Sequence, residues 1–196
     1  QYLIMVMIIL GFGGLLAMLI RTELGVTWAE VFTPSFYNSI IGTHGIAMII
    51  GMIIVVMGPI ANFIMPIMIG ARDMAFPRLN ALSLWLLVAA VPCLISSLFL
   101  GGIQDGWSVY QPLASQGPPG MLGYQMTIIV FAISTGVASV NVMTTILTMR
   151  AKGMTWSRTP ILVFGVFAAA LMGLYAFPFY QYSQILALSD RIFSTS

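Results

Sequence analysis

Residues 39–80 read SIIGTHGIAMIIGMIIVVMGPIANFIMPIMIGARDMAFPRLN. This stretch sets the chain's only histidine, His44, near one end of a long apolar run, and a charged loop from Arg72 to Arg78, holding Asp73, at the other. An imidazole at one membrane face and an acid at the opposite face form the pattern of a redox centre served by a proton route. About 20 helical residues cross a bilayer, so residues 39–70 are too many for an upright span. The segment is expected to tilt or project, with Pro59 and Pro66 as places to bend.

Composition sets the class. Of 196 residues, 60% are hydrophobic and only 6% charged, which is far from a globular mix and identifies a membrane protein. No nucleic-acid partner is expected. The one cysteine, Cys93, can form no internal disulfide and reads as a small core residue. The chain opens at Gln1 inside an apolar run, with no initiator Met, basic leader or cleavage pattern, and is read as a piece of a longer sequence.

Five runs are long enough to span, roughly 2–20, 39–70, 82–100, 125–149 and 161–186, giving a single all-α transmembrane unit. Arg72 and Arg78 lie between spans two and three, and Arg150, Lys152 and Arg158 between spans four and five. These loops face one side and hold five of the seven basic residues, so by the positive-inside rule that side is cytoplasmic. His44 then lies toward the outer face and Asp73 toward the inner one. Trp28, Phe32, Phe36, Tyr37, Trp107, Tyr110, Tyr175, Tyr180 and Tyr182 fit outer interfaces.

The chain shows no thiolate cluster, phosphate loop or hydrolytic His/Asp/Ser set. A lone histidine in a membrane helix serves either as a hydrogen bonder between helices or as a metal ligand. As a ligand, its neutral imidazole would bind haem iron axially, with Gly42 and Gly45 leaving room for a flat macrocycle. The second polar feature lies on span four, where Ser134, Asn141 and Thr145 share one helical face with Thr127, and Thr135 and Thr144 lie alongside. That stripe is either interhelical hydrogen bonding or the wall of a proton wire. Asn62, Asn80 and Ser83 around Asp73 add weight to the wire. Against it, Asp73 could simply pair with Arg72 or Arg78 in a solvated loop.

THGIAM at Thr43, IGARDMAFPRLN at Ile69, GWSVYQPL at Gly106 and LIRTELG at Leu19 resemble subunit I of the haem-copper terminal oxidases, in the same order and nearly end to end. The resemblance implies a twelve-helix subunit of which this chain is the first five helices. It makes His44 the axial ligand of a low-spin haem, of type a, with Arg21 at the haem's edge group and Tyr37 and Trp107 beside its propionates. It makes Asp73 the mouth of a proton pathway flanked by the amides of Asn62 and Asn80, with Tyr2, Ser83, Ser134, Thr135 and Asn141 further along. Thr135 replaces the family's usual second serine, and Asn80-Ala81 replaces its usual asparagine pair. Glu23 aligns with an acid that helps hold a cation in some members.

Where quinol-using members of the family carry His and Gln, this chain has Phe36 and Ser39, which tilts the donor toward cytochrome c or a similar carrier. The implied protein reduces dioxygen to water with a second haem and copper held by later segments. It works with subunit II and other oxidase subunits in a bacterial or archaeal plasma membrane or a mitochondrial inner membrane. Two other readings stay open: an ion channel or transporter with His44 as a gate, and a structural membrane subunit without a cofactor.

Overall fold

Backbone polar groups inside hydrocarbon must be satisfied within their own segment, and the apolar runs accordingly become helices. The computed structural model describes residues 1–26 and 28–194. Helix α1 is Tyr2–Gly25. Helix α2, Pro34–Val55, passes through a π-helical segment, Val56–Ile64, into α3, Met65–Ile69. After a tight loop come α4, Pro77–Phe99, and a single turn, α5, Leu113–Gln116. Helix α6, Gly120–Thr148, and α7, Ile161–Phe193, are joined through the 3₁₀ turn Trp156–Arg158. The described residues contain no strand, and five helical stretches are long and apolar enough to cross a membrane, with Pro34–Ile69 counted as one. The chain is an all-α multi-pass membrane protein.

Each helix overruns the apolar stretch that announced it. Hydrophobicity marks the hydrocarbon, whereas two of the helix starts are set by prolines. Pro34 and Pro77 open α2 and α4, where a fixed φ and a missing N–H cost nothing. The Thr33 hydroxyl accepts from the Phe36 N–H at 3.4 Å.

The second span has 36 residues, or about 54 Å of helix against a hydrocarbon of about 30 Å. Its bend is not a break. Pro59 sits inside the π segment, where wider turns relieve the clash of its ring with the preceding turn. The Asn62 side chain donates there to the carbonyls of Met57 at 2.7 Å and Gly58 at 3.0 Å. Gly70, in the left-handed region at φ 74°, stops the helix.

Helix α6 is the hub, packed against α4 on one side and α7 on the other, while α1 packs on α2. A Cβ at Gly123 would lie 2.8 Å from the Cys93 carbonyl, so α6 and α4 meet backbone to backbone. Cys93 is therefore not the core residue its surroundings led one to expect. Its carbonyl makes the contact and its half-buried thiol turns to the Ala89 carbonyl at 3.5 Å. One apolar cluster joins α1, α2, α4 and α6, and a second packs the π segment and α3 against α6 and α7.

The loops fall at two ends. At the first, the Ala151 N–H donates to the Ile69 carbonyl at 2.8 Å, tying the two basic loops together, and the Arg150 guanidinium lies 4.0 Å above the Trp156 ring. At the other, Arg191 donates to the carbonyls of Gly117 and Pro118, both at 2.8 Å, and Gln104 donates to the Ser39 hydroxyl at 2.7 Å.

Gly102 makes this second end possible, because it holds φ 65° and a Cβ there would collide with the Ser39 side chain. Gly102→Ala is expected to destabilise the bundle by about 2 kcal/mol or more, read as a lower thermal midpoint in detergent.

Candidate functional site

At the end away from the basic loops, His44 sits half-buried on α2, and its Nδ1 lies 2.9 Å from the Gly13 carbonyl of α1. A carbonyl only accepts, so Nδ1 carries the proton and the Nε2 lone pair is left available. No other group engages the ring among the described residues. That bond joins α2 to α1, and it also leaves the ring able to serve as a metal ligand through Nε2, with the tautomer already chosen.

The neighbouring glycines do something other than expected. A Cβ at Gly42 would meet Ile103 at 2.9 Å, and one at Gly45 would meet the Trp107 Cβ at 3.2 Å. Both faces are taken by the loop that follows α4, so these glycines serve loop packing rather than room for a macrocycle.

Tyr37 lies seven residues before His44 on the same helical face, half-buried. Trp107 rests on Gly45 with its indole 56% exposed. Arg21 is exposed near the end of α1, eight residues beyond the Gly13 that His44 grips. The fold gathers these four at one end of the bundle, but direct packing links only Trp107 to the His44 segment. Glu23 is engaged locally, accepting from the N–H groups of Val31 at 3.1 Å and Phe32 at 2.9 Å.

At the basic end, Asp73 is exposed and accepts from the Met74 N–H at 2.7 Å. Neither Arg72 nor Arg78 pairs with it among the described residues. Beside it, three segments converge on a hydroxyl cluster. The Tyr2 hydroxyl lies 2.7 Å from Ser83 Oγ and 3.2 Å from the Asn80 side-chain oxygen. Ser83 donates to the Asn80 carbonyl at 2.9 Å, which leaves Tyr2 as the donor to Ser83 or Asn80. Ser134 on α6 donates to the Ser83 carbonyl at 2.6 Å. Above this cluster a cavity of about 20 Å³ is lined in part by Tyr2, Ser134 and Thr135, which is room for about one water molecule.

Two of the expected pathway residues stand apart. Asn62 bonds back to its own π segment and not toward Asp73, since the widened turn brings two carbonyls within reach of its amide. Asn141 accepts from the Phe76 N–H at 2.8 Å and Thr145 from the Ala75 N–H at 2.9 Å. The polar stripe of α6 therefore divides. Ser134 and Thr135 face the small cavity, while Asn141 and Thr145 clamp the backbone of the loop that carries Asp73.

Two tyrosines pair without any sign of it in the sequence. Tyr124 and Tyr180 join hydroxyls at 2.5 Å between α6 and α7. Tyr180, expected at an outer interface, also lines the cleft beside the loop after α4. Asp105 has a carboxylate oxygen shut off from solvent without a partner, and this burial raises its carboxyl above the ordinary carboxylate range.

All 196 residues match the family model described as cytochrome c and quinol oxidase polypeptide I. The chain is 37% identical over its whole length to cytochrome c oxidase subunit 1 of Thermostichus vulcanus, covering 36% of that protein. It is 37% identical to the protein of the same name from Corynebacterium diphtheriae, over 97% of this chain and 35% of that one. With the heme-copper oxidase subunit I+III of Aeropyrum pernix it shares 33% identity over 99% of its length and 24% of the relative's. The chain spans about a third of the length of the cytochrome c oxidase subunits it matches.

The clamp and the exposed acid should separate by experiment. Asn141→Ala orphans the Phe76 N–H and is expected to lower stability by about 1 kcal/mol. Asp73→Asn should leave stability within about 0.5 kcal/mol. Thermal unfolding in one detergent measures both.

Proposed function

Because this chain belongs to the cytochrome c and quinol oxidase polypeptide I family, we propose that it forms the low-spin-haem and proton-uptake portion of the catalytic subunit of a respiratory terminal oxidase. The observation that carries this reading is the His44 ring, with Nδ1 held by the Gly13 carbonyl and Nε2 free to bind iron. A haem bound there, of type a, supplies one-electron transfer.

The protein's own groups tune that site. The Arg21 guanidinium, the Tyr37 hydroxyl and the Trp107 indole N–H serve the edge group and propionates, and charge-assisted hydrogen bonds of this kind shift a redox potential. The second haem and copper belong to later segments of the subunit.

Protons enter at Asp73, whose exposed and unpaired carboxylate suits capture from water. They pass to the Tyr2, Asn80 and Ser83 cluster and on toward Ser134 and Thr135, where the cavity leaves room for a bridging water. Asn141 contributes by holding the loop, and Asn62 by keeping the π turn in shape. With Asp73 inside and His44 outside, following the basic loops, each charge moved stores about 2.3 kcal/mol per 100 mV.

Cytochrome c or a similar carrier is the donor. In support, Phe36 has no polar group for a quinol, and Ser39 is 2% exposed with its hydroxyl committed to the Ser35 and Gly101 carbonyls. The remaining helices of the subunit, subunit II and lipid cover the apolar faces, such as those presented by Leu3, Met7 and Met18 on α1. The membrane is a bacterial or archaeal plasma membrane or a mitochondrial inner membrane.

His44→Ala in the assembled oxidase is expected to abolish the low-spin haem band in reduced-minus-oxidised spectra. A retained band would overturn the assignment. Asp73→Asn is expected to keep the haem content while slowing turnover and proton uptake at least tenfold, about 1.4 kcal/mol on the barrier, in stopped-flow measurements with a pH dye. Undiminished uptake would remove Asp73 from the route.

A further inference from the structure

Tyr124 has no solvent exposure, and its hydroxyl stands where α6, α7 and the loop after α4 meet. It donates to the Trp107 carbonyl at 3.1 Å, and the Tyr180 hydroxyl lies 2.5 Å away. A phenol has one proton. With that of Tyr124 given to Trp107, Tyr180 donates to Tyr124, and the order runs Tyr180 to Tyr124 to the Trp107 carbonyl. In a low-dielectric interior each link polarises the next, so Tyr180 strengthens the bond at the end of the relay. Phenylalanine would fill both ring positions equally well, so packing alone does not account for the two hydroxyls.

What the relay holds matters for the site. The Trp107 backbone is gripped through its carbonyl, and the residue packs against Gly45, next in chain to His44. The indole itself is 56% exposed, so the side chain is fixed at its root. From Trp107 to Gln111 the loop borders a cleft of about 470 Å³ that Tyr180 also lines. Val109, two residues on, holds φ 47°, a conformation that a β-branched residue keeps only when its surroundings impose it. The loop is therefore under constraint, and among its ties to the helix bundle the Tyr124 hydroxyl is the one that takes the Trp107 carbonyl.

We infer that Tyr124, backed by Tyr180, is a positioning residue. It fixes Trp107 against the segment of His44 and through it sets the potential of the haem. This rests on the haem assignment proposed for His44.

The test uses the assembled oxidase in membranes, labelled with tryptophan carrying a ¹³C carbonyl, as parent, Tyr124→Phe and Tyr180→Phe. Isotope-edited infrared spectroscopy reads the carbonyl bond itself. In Tyr124→Phe one labelled component moves to higher frequency, and in Tyr180→Phe it moves by less. The low-spin haem band and midpoint potential shift in the same order, with haem content unchanged. A labelled carbonyl that stays put in Tyr124→Phe removes the relay. A carbonyl that moves while band and potential stand still makes the pair structural only, which overturns the positioning role and leaves the haem reading intact. A parent protein with no haem band fells the underlying reading, whatever the carbonyl does. Should Tyr124→Phe fail to assemble, Tyr180→Phe, at a partly exposed position, supports the same comparison.

Discussion

A hydroxyl or amide buried among apolar helices in a bilayer has no water to turn to, and it is costly unless the protein supplies a partner. Helix α6 makes many of these bonds, although its own Ser139 hydroxyl is buried with no partner among the described residues. Thr127 and Ser134 bond across or toward α4, Asn141 and Thr145 accept from the loop that opens α4, and Tyr124 reaches both α7 and the loop after α4. The backbone contact at Gly123 lets these short side chains reach. The loop of Asp73 is held by this helix, and His44 is held by its bond to Gly13, which ties α2 to α1.

The two sites are built in different ways. The His44 site is made by one side chain whose tautomer is set by a neighbouring carbonyl, with Trp107 of the loop packed on the adjacent Gly45. The Asp73 region is distributed. Its acid is exposed, its hydroxyls come from three helices, and the loop is held by Asn141 and Thr145 through its backbone N–H groups. The clamp fixes the loop, while Asp73 itself accepts from the Met74 N–H.

Several features were legible because they depend on composition and spacing alone. A chain with 60% hydrophobic and 6% charged residues has no soluble fold open to it. The motifs around Thr43, Ile69, Gly106 and Leu19 marked the family, and the pairing of Tyr2 with Asn80 and Ser83 follows once α1 and α4 share an end. Spacing on α6 likewise put Ser134 and Asn141 on one face. It could not say that the face would divide between a cavity and a loop clamp.

What the amino-acid sequence determined by itself is the number of spans, the family, and which residue types stand ready for chemistry, because hydrophobic length and motif order are properties of the chain read locally. Only the tertiary structure decided which partner each polar group takes. Asn62 turns back on a π segment because Pro59 widens it, and Gly42 and Gly45 lie against Ile103 and Trp107 because the loop after α4 folds down on α2. The Tyr180 hydroxyl pairs with Tyr124 because α7 packs on α6 at that level. Hydrogen bonds are settled by distances of a few ångströms between segments far apart in the chain, and no local pattern encodes them.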